Sequence, residues 1–198
     1  MPTPGRKGLA VTDGGSHLRL WLTVGLGLLV DLAGKHFLWD LLGGPPESGG
    51  RIVTVIPGWL RLVASENPGI VFGIDFGEDL GLGPVAGRIT TIVLTVATSA
   101  LIFYVFATSR PRHRWTHFWC GLILAGAAGN LFDRIAFGHV RDLIQFTVEM
   151  GGRPVWPFVF NAADVYLVVG VIAVAWTMLF GSGSQKAGRR EKRSSKEP

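Results

Sequence analysis

Four long apolar blocks constrain the fold of this chain more than any other feature of its sequence. They cover residues 20–39, 89–108, 115–136 and 160–180. Each block is close to the ~20 residues with which a helix crosses the hydrocarbon core of a bilayer. Only 17% of the residues are charged, whereas soluble domains average about 25%. The sequence therefore predicts an all-α membrane protein with four transmembrane helices and leaves no room for a large separate soluble domain.

The distribution of positive charge predicts how these helices are oriented. The chain has a net charge of +5, and 12 of its 19 lysines and arginines lie before the first block, between the second and third, or after the fourth. Cytoplasmic segments are enriched in lysine and arginine. Both termini are therefore expected in the cytoplasm, and the loops at 43–88 and 137–159 are expected outside. This pattern accounts for the basic balance without a nucleic-acid partner.

Three segments follow from this topology. Residues 1–17 contain Gly and Pro and are expected to form a flexible cytoplasmic start. Residues 18–180 form the membrane domain, and the basic, polar residues 181–198 are expected to be a disordered cytoplasmic tail near anionic lipid. The first apolar block is interpreted as a retained helix, because no A-x-A-like cleavage site follows a short apolar core.

The first outer loop, 43–88, has the composition of a small sheet. Residues 51–55 and 60–64 have the β-branched content of short strands, and residues 70–76 are a third candidate. The segment Glu66-Asn67-Pro68-Gly69 is a turn signal. An extracytoplasmic β-cradle in this loop would suit the binding of an extended peptide, because sheet edges pair with strands. An ordinary packed loop fits the pattern about equally well.

Cysteine and histidine give no sign of a cofactor. The only cysteine, Cys120, lies in the third block, so neither a disulfide framework nor a cysteine metal site is expected. The five histidines lack metal-ligand spacing. We therefore expect no metal and no other cofactor.

In the third block, Gly121, Ala125 and Gly129 recur every four residues, which favours close helix packing.

Polar residues stand inside or beside these apolar blocks. A charge at the centre of a membrane helix costs roughly 2.5–3.5 kcal/mol on insertion scales and usually marks function. Asp31 and Lys35 lie four apart in the first block and can form an ion pair, with or without a further role. The other residues of this kind are Asn130, Asp133 and Arg134 on one face of the third block, Asp142 in the loop after it, and Asn161 and Asp164 at the start of the fourth.

The predicted topology carries all these polar groups towards the outer leaflet. A site opening at one interface fits this better than a transport path, which would show polar groups through the midplane and beyond. Asp142 and Asp164 are expected to meet there. Two close carboxyl groups that share one proton can activate water with one member and protonate a leaving amine with the other. Alternatively, Asp142 is a loop acid or helix cap, and Asp164 is a cap or ion partner.

Five motifs in order resemble those of the bacterial lipoprotein signal peptidases (signal peptidase II). The resemblance covers residues 18–180. Its motifs are D-x-x-x-K at Asp31 and Lys35, N-x-G-x-x-F from Asn67 through Gly69 to Phe72, N-x-x-D-R at Asn130, Asp133 and Arg134, V-x-D at Val140 and Asp142, and F-N-x-A-D from Phe160 to Asp164. Two positions depart from the family pattern. Leu32 stands where glutamine is usual, and Glu66 stands where a basic residue is common.

The resemblance implies an activity and roles for these residues. Asp142 and Asp164 would be the catalytic aspartates of an intramembrane aspartyl endopeptidase. It would cut a prolipoprotein signal peptide just before a diacylglyceryl-modified cysteine, without a metal. The supporting and substrate-binding residues would be Asp31, Lys35, Asn67, Gly69, Asn130, Asp133, Arg134 and Asn161. The implied protein is a monomer of the bacterial inner membrane, with its site near the outer leaflet and with lipid and prolipoproteins as partners.

Two other classes remain open from the sequence. A small proton-coupled transporter would also carry intramembrane acids, and it would show substrate flux in vesicles without cleavage. A scaffold subunit would tolerate substitution of both aspartates and would copurify with a partner.

Overall fold

The computed structural model describes residues 8–69, 79–81 and 83–180, and within these it contains four long helices. They are α1 (Gly14–Leu42), α2 (Pro84–Thr108), α3 (Arg114–Ala136) and α4 (Ala162–Phe180). By length and composition α1, α2 and residues Ala162–Leu179 of α4 can cross a membrane. The predicted strand over 70–76, the first seven residues and the tail at 181–198 lie outside the described residues.

Helix α1 begins earlier than the sequence predicted because Asp13 caps it. The Asp13 carboxylate accepts hydrogen bonds from the backbone N–H and the hydroxyl of Ser16, both at 2.7 Å. Before it, Ala10–Thr12 form a turn of 3₁₀ helix. Ala10 is fully buried, and its N–H donates to the carbonyl of Ser109 at 2.9 Å. The flexible start predicted for residues 1–17 therefore does not extend to residues 8–17, which pack against the bundle.

Helix α3 lies at the centre of the bundle and packs against the other three helices. The small residues predicted to permit close packing line its contact with α1, where a Cβ on Gly121 would come within 2.8 Å of Thr23. One turn farther on, Ala125 faces Gly27 of α1. On the α4 side, a Cβ on Gly126 would lie 2.5 Å from the carbonyl oxygen of Ala163. Because protein covers α3, this helix can carry polar residues that a lipid-facing helix cannot.

The sheet beside the bundle has four antiparallel strands in the order β1-β2-β3-β6. β1 (Val53–Ile56) and β2 (Leu60–Asn67) match the strands predicted at 51–55 and 60–64. The predicted cradle is not confined to residues 43–88, however, because β3 (Val140–Phe146) and β6 (Val159–Phe160) come from the segment between α3 and α4. β1 pairs with only one edge of β2, and β3 satisfies the other edge. A separate hairpin pairs β4 (Glu149–Met150) with β5 (Arg153–Pro154).

The two ends of the bundle differ in composition. One end, here called the apolar end, buries a cluster around Ala10, Leu20, Phe106 and Cys120. The opposite end, next to the sheet, is here called the charged end. It buries the side chains of Asp31, Lys35, Asp133, Arg134 and Arg141. The functional site predicted from the sequence lies at the charged end.

Candidate active site

The first turn of α4 holds Asp164 in a reciprocal cap with Asn161. The Asn161 side-chain carbonyl accepts from the Asp164 N–H at 3.0 Å, and Asp164 Oδ2 accepts from the Asn161 N–H at 3.0 Å. This is a capping box, which satisfies two N–H groups that the helix leaves unpaired. The carboxylate of Asp31 on α1 accepts from the next free N–H, that of Ala163, at 3.0 Å. Asp164 is thereby fixed at the positive end of the α4 dipole.

Asp142 lies on β3 and is 2% exposed. Its two oxygens accept hydrogen bonds from the amide of Asn67 on β2 at 2.9 Å and from the amide of Asn161 at 2.6 Å. Burial, and after it the nearby Asp164 carboxylate, raise the pKa of Asp142 to about 7. Asn161 thus forms hydrogen bonds with both Asp142 and Asp164. Asp142 belongs to a strand of the sheet rather than to an irregular loop.

Asn130 on α3 links Asp164 to the lysine of α1. Its Oδ1 accepts from Lys35 Nζ at 2.9 Å, and its Nδ2 donates to Asp164 Oδ1 at 2.8 Å. Lysine has no acceptor, so the ammonium group fixes which end of the Asn130 amide faces it. The amide N–H is thereby directed at the Asp164 carboxyl.

Asp133 is held between two cations, Lys35 and Arg141. Lys35 Nζ lies 3.3 Å from Asp133 Oδ2 and 2.9 Å from Asp31 Oδ2. The guanidinium of Arg141 donates to Asp133 Oδ1 at 2.8 and 3.2 Å, and the Arg141 backbone N–H donates to Oδ2 at 3.0 Å. Asp133 is fully buried, and its oxygens are occupied by these donors. It therefore supports the start of β3 and has no oxygen left over for water.

Arg134 fixes the turn that carries Asn67. Its Nη2 donates to the carbonyl of Gly69 at 2.6 Å, while the Gly69 N–H donates to Asn67 Oδ1 at 2.9 Å. The Asn67 amide is then oriented towards Asp142. Arg134 and Asn130 also line a cavity of about 170 Å³ beside α2, whose wall includes Thr91 and Thr95.

The structure brings the residues predicted for the site into one hydrogen-bonded network. Arg141 was not among them. The sequence signal for Arg141 was its place next to Asp142 in a largely apolar segment. Burying a cation without a partner is costly, so a buried Arg141 would need an acid. Within residues 8–69, 79–81 and 83–180, no group of three or more His, Cys, Asp or Glu side chains is arranged to hold a metal ion.

Known proteins match most of the chain. A family model described as "Signal peptidase (SPase) II" matches residues 23–180. A protein of Rhodopseudomonas palustris (strain TIE-1) named "Lipoprotein signal peptidase" is 35% identical over 166 residues, which are 84% of this chain and 94% of that protein. One of Chlorobaculum tepidum with the same name is 36% identical over 144 residues, 70% of this chain and 78% of that protein.

A solved structure shares the fold. It is described as "Bacterial membrane enzyme structure by the in meso method at 2.3 A resolution". It superposes with a TM-score of 0.66 at 23% identity and covers 91% of this chain and 95% of that one.

Proposed function

The chain belongs to the signal peptidase II family, and on this premise we propose that it is an intramembrane aspartyl endopeptidase. It removes the signal peptide from prolipoproteins by cutting just before the diacylglyceryl-modified cysteine. The observation that carries this proposal is the position of Asn161, whose amide bonds to Asp142 while its backbone N–H bonds to Asp164. One asparagine thus holds two carboxyl groups in a common site at the end of the bundle.

The two carboxyl groups supply the acid and the base of hydrolysis. With one proton shared between them, the ionised member takes a proton from water, and the water oxygen attacks the scissile carbonyl carbon. The protonated member donates its proton to the carbonyl oxygen. When the tetrahedral intermediate collapses, the C–N bond breaks, and a carboxyl proton passes to the leaving amine of the cysteine. The peptide carboxylate and a free amine are the products.

The pH dependence of this reaction follows from the pair as a unit. Coupled carboxyl groups titrate in two steps that belong to the pair, and only the singly protonated form is active. Because the pKa of Asp142 is raised to about 7, one of these steps falls near neutral pH. A bell-shaped profile of kcat/KM is expected, with activity falling when both groups are protonated and when both are ionised.

The helices support a site near the outer leaflet of the bacterial inner membrane. The pair lies at the end of the bundle opposite the Ala10–Ser109 contact. With the termini cytoplasmic, as the charge distribution favours, this end faces outward. The lipid chains of the substrate would hold its cysteine at that interface, beside α4 and the sheet. α3 would cross the membrane as the fourth span, shielded from lipid by its neighbours.

The test uses the purified full-length protein in lipid and a diacylglyceryl-modified lipobox peptide. Asp142→Asn and Asp164→Asn are each expected to abolish cleavage. Asp40→Asn is the matched control, because the Asp40 side chain on α1 is 66% exposed and contacts only His36 among the ion pairs of the described residues. Full activity of either site variant would refute the proposal, and a melting temperature at or above that of the parent protein would exclude unfolding as the cause of a loss.

A further inference from the structure

We propose that Arg141 is a positioning residue that balances the charge of the active site and thereby sets the pH at which the Asp142–Asp164 pair works. This inference rests on the proposed function and concerns a position that the V-x-D motif leaves variable. Arg141 is 7% exposed. Its guanidinium binds Asp133 and stacks over the ring of Phe137, 4.3 Å from the ring centre.

The charges at the site balance only when Arg141 is included. If the Asp142–Asp164 pair retains one proton, the acids carry three negative charges, and three cations oppose them. The groups concerned are Asp31, Asp133, Asp142 and Asp164 against Lys35, Arg134 and Arg141. Removing Arg141 leaves one negative charge uncompensated in a poorly solvated site. Such a charge favours retention of protons by nearby carboxyl groups.

Arg141 also affects which groups Lys35 contacts. The ammonium group is shared among Asp31, Asn130 and Asp133, with Asp133 the most distant at 3.3 Å. Because Arg141 already neutralises Asp133, Lys35 can remain against Asn130, whose amide bonds to Asp164. Without Arg141, the negative charge on Asp133 would attract Lys35 away from Asn130. The effect of Arg141 on Asp164 therefore passes through Asp133, Lys35 and Asn130.

Other titratable groups around Arg141 are committed elsewhere. Glu66 is its register partner on β2, but the Glu66 carboxylate lies 3.8 Å from His139 Nδ1 and is 52% exposed. His139 in turn stacks on Trp39 and Phe137. Asp133 on α3 and Lys35 on α1 are the charged groups that face the guanidinium network within the bundle. Asp133 is therefore the acid that neutralises the charge on Arg141.

The experiment is the pH profile of kcat/KM for Arg141→Gln, measured on the full-length protein with the lipid-modified peptide. Glutamine retains a donor for Asp133 but removes the charge. The profile is expected to move to higher pH by roughly one unit, since the loss of a nearby cation raises carboxyl pKa values. Arg141→Lys, which keeps the charge, is expected to leave the pH profile unshifted relative to the parent protein. Arg61→Gln is the control, because Arg61 lies in the same sheet and binds Gln145.

A second variant separates charge balance from structural support. Asp133→Asn combined with Arg141→Gln removes one charge of each sign, so the profile is expected to return towards that of the parent protein even if the rate remains low. A folded Arg141→Gln protein with an unshifted profile, or a double variant with the same shift as the single one, would overturn the inference. Cleavage by Asp142→Asn would instead overturn the proposed function, so the two failures are distinguishable.

Discussion

The apolar end and the charged end of the bundle stabilise the protein in different ways. At the apolar end, Phe106 and Leu20 are fully buried and pack against Cys120 and Ala10. Such close packing contributes dispersion energy without demanding a particular hydrogen-bond geometry. At the charged end, buried Lys35 and Arg141 are paired with acids, and the desolvation of both partners offsets much of what their attraction provides. The apolar end therefore supplies stability that the charged end does not, and the role proposed for the charged end is to orient the two carboxyl groups of the candidate site.

Asp133→Ala tests the charged end most severely. It would leave Lys35 short of one partner and Arg141 without any acid, and both side chains are buried. Breaking a buried pair costs about 3–5 kcal/mol, so a large fall in the free energy of unfolding is expected together with loss of cleavage. Denaturant unfolding in detergent measures the first quantity. A loss below about 1 kcal/mol would mean that the ion network contributes as little as a surface salt bridge.

Phe106→Ala tests the apolar end. Removing a fully buried phenylalanine costs about 3 kcal/mol through lost burial and the cavity left behind. Because Phe106 lies at the opposite end from Asp142, kcat below the melting temperature is expected to be unchanged. Thermal unfolding and turnover, measured on the same sample, check both statements. A change in the pH profile of this variant would contradict the separation of the two ends.

Asp142→Asn is expected to stabilise the protein while inactivating it. The pKa of Asp142 is about 7 in the folded protein against its ordinary 3.8. Between these values the folded state holds more protons than the unfolded state, so its stability falls as pH rises. Asparagine removes this penalty, which grows by about 1.4 kcal/mol for each pH unit between the two pKa values and is complete at pH 8. Melting temperatures measured across this pH window, with Asp13→Asn at the half-buried cap of α1 as control, test the sign.

Gly129→Ala is expected to have the smallest effect of the four. A Cβ on Gly129 would overlap the Asp31 carboxylate, which must then shift from Lys35 or from the N–H of Ala163. Overpacking of this kind costs about 1–3 kcal/mol. Gly25→Ala on α1 has open space around it and is the control. A Gly129→Ala protein as stable and as active as Gly25→Ala would show that the α1–α3 contact is looser than its geometry indicates.

The helices were predictable because their signal is simple. An apolar block of about 20 residues predicts a long helix, so α2 and α3 begin within a few residues of the predicted positions and end at the predicted ones. The start of α1 was less predictable because the cap at Asp13 lies outside the apolar block. β3 escaped prediction since Arg141 and Asp142 interrupt it, and its first four residues are all buried rather than alternating.

The site was predictable in part. Residue spacing and topology predicted that Asn130, Asp133 and Asp164 lie towards one leaflet, and the structure brings them together at one end of the bundle. The supporting role proposed for Asn67 rested only on the family resemblance, because an asparagine in a turn can serve many purposes. The contact between Asp133 and Arg141 could not be predicted from residue spacing. Arg141 reaches Asp133 only after the chain has turned from α3 into β3, and the spacing of residues in the sequence does not give the geometry of that turn.

The capping box at the start of α4 has a consequence for anyone wishing to trap a substrate in the enzyme. In the proposed mechanism Asp164 is a reacting group, and it is also the acid that closes the first turn of its helix. Replacing it therefore disturbs the frame that holds Asn161. Asp142 does not cap a helix. It lies on a strand whose backbone pairing does not depend on the Asp142 carboxyl group. An inactive protein intended to hold an intact precursor is therefore best made at Asp142.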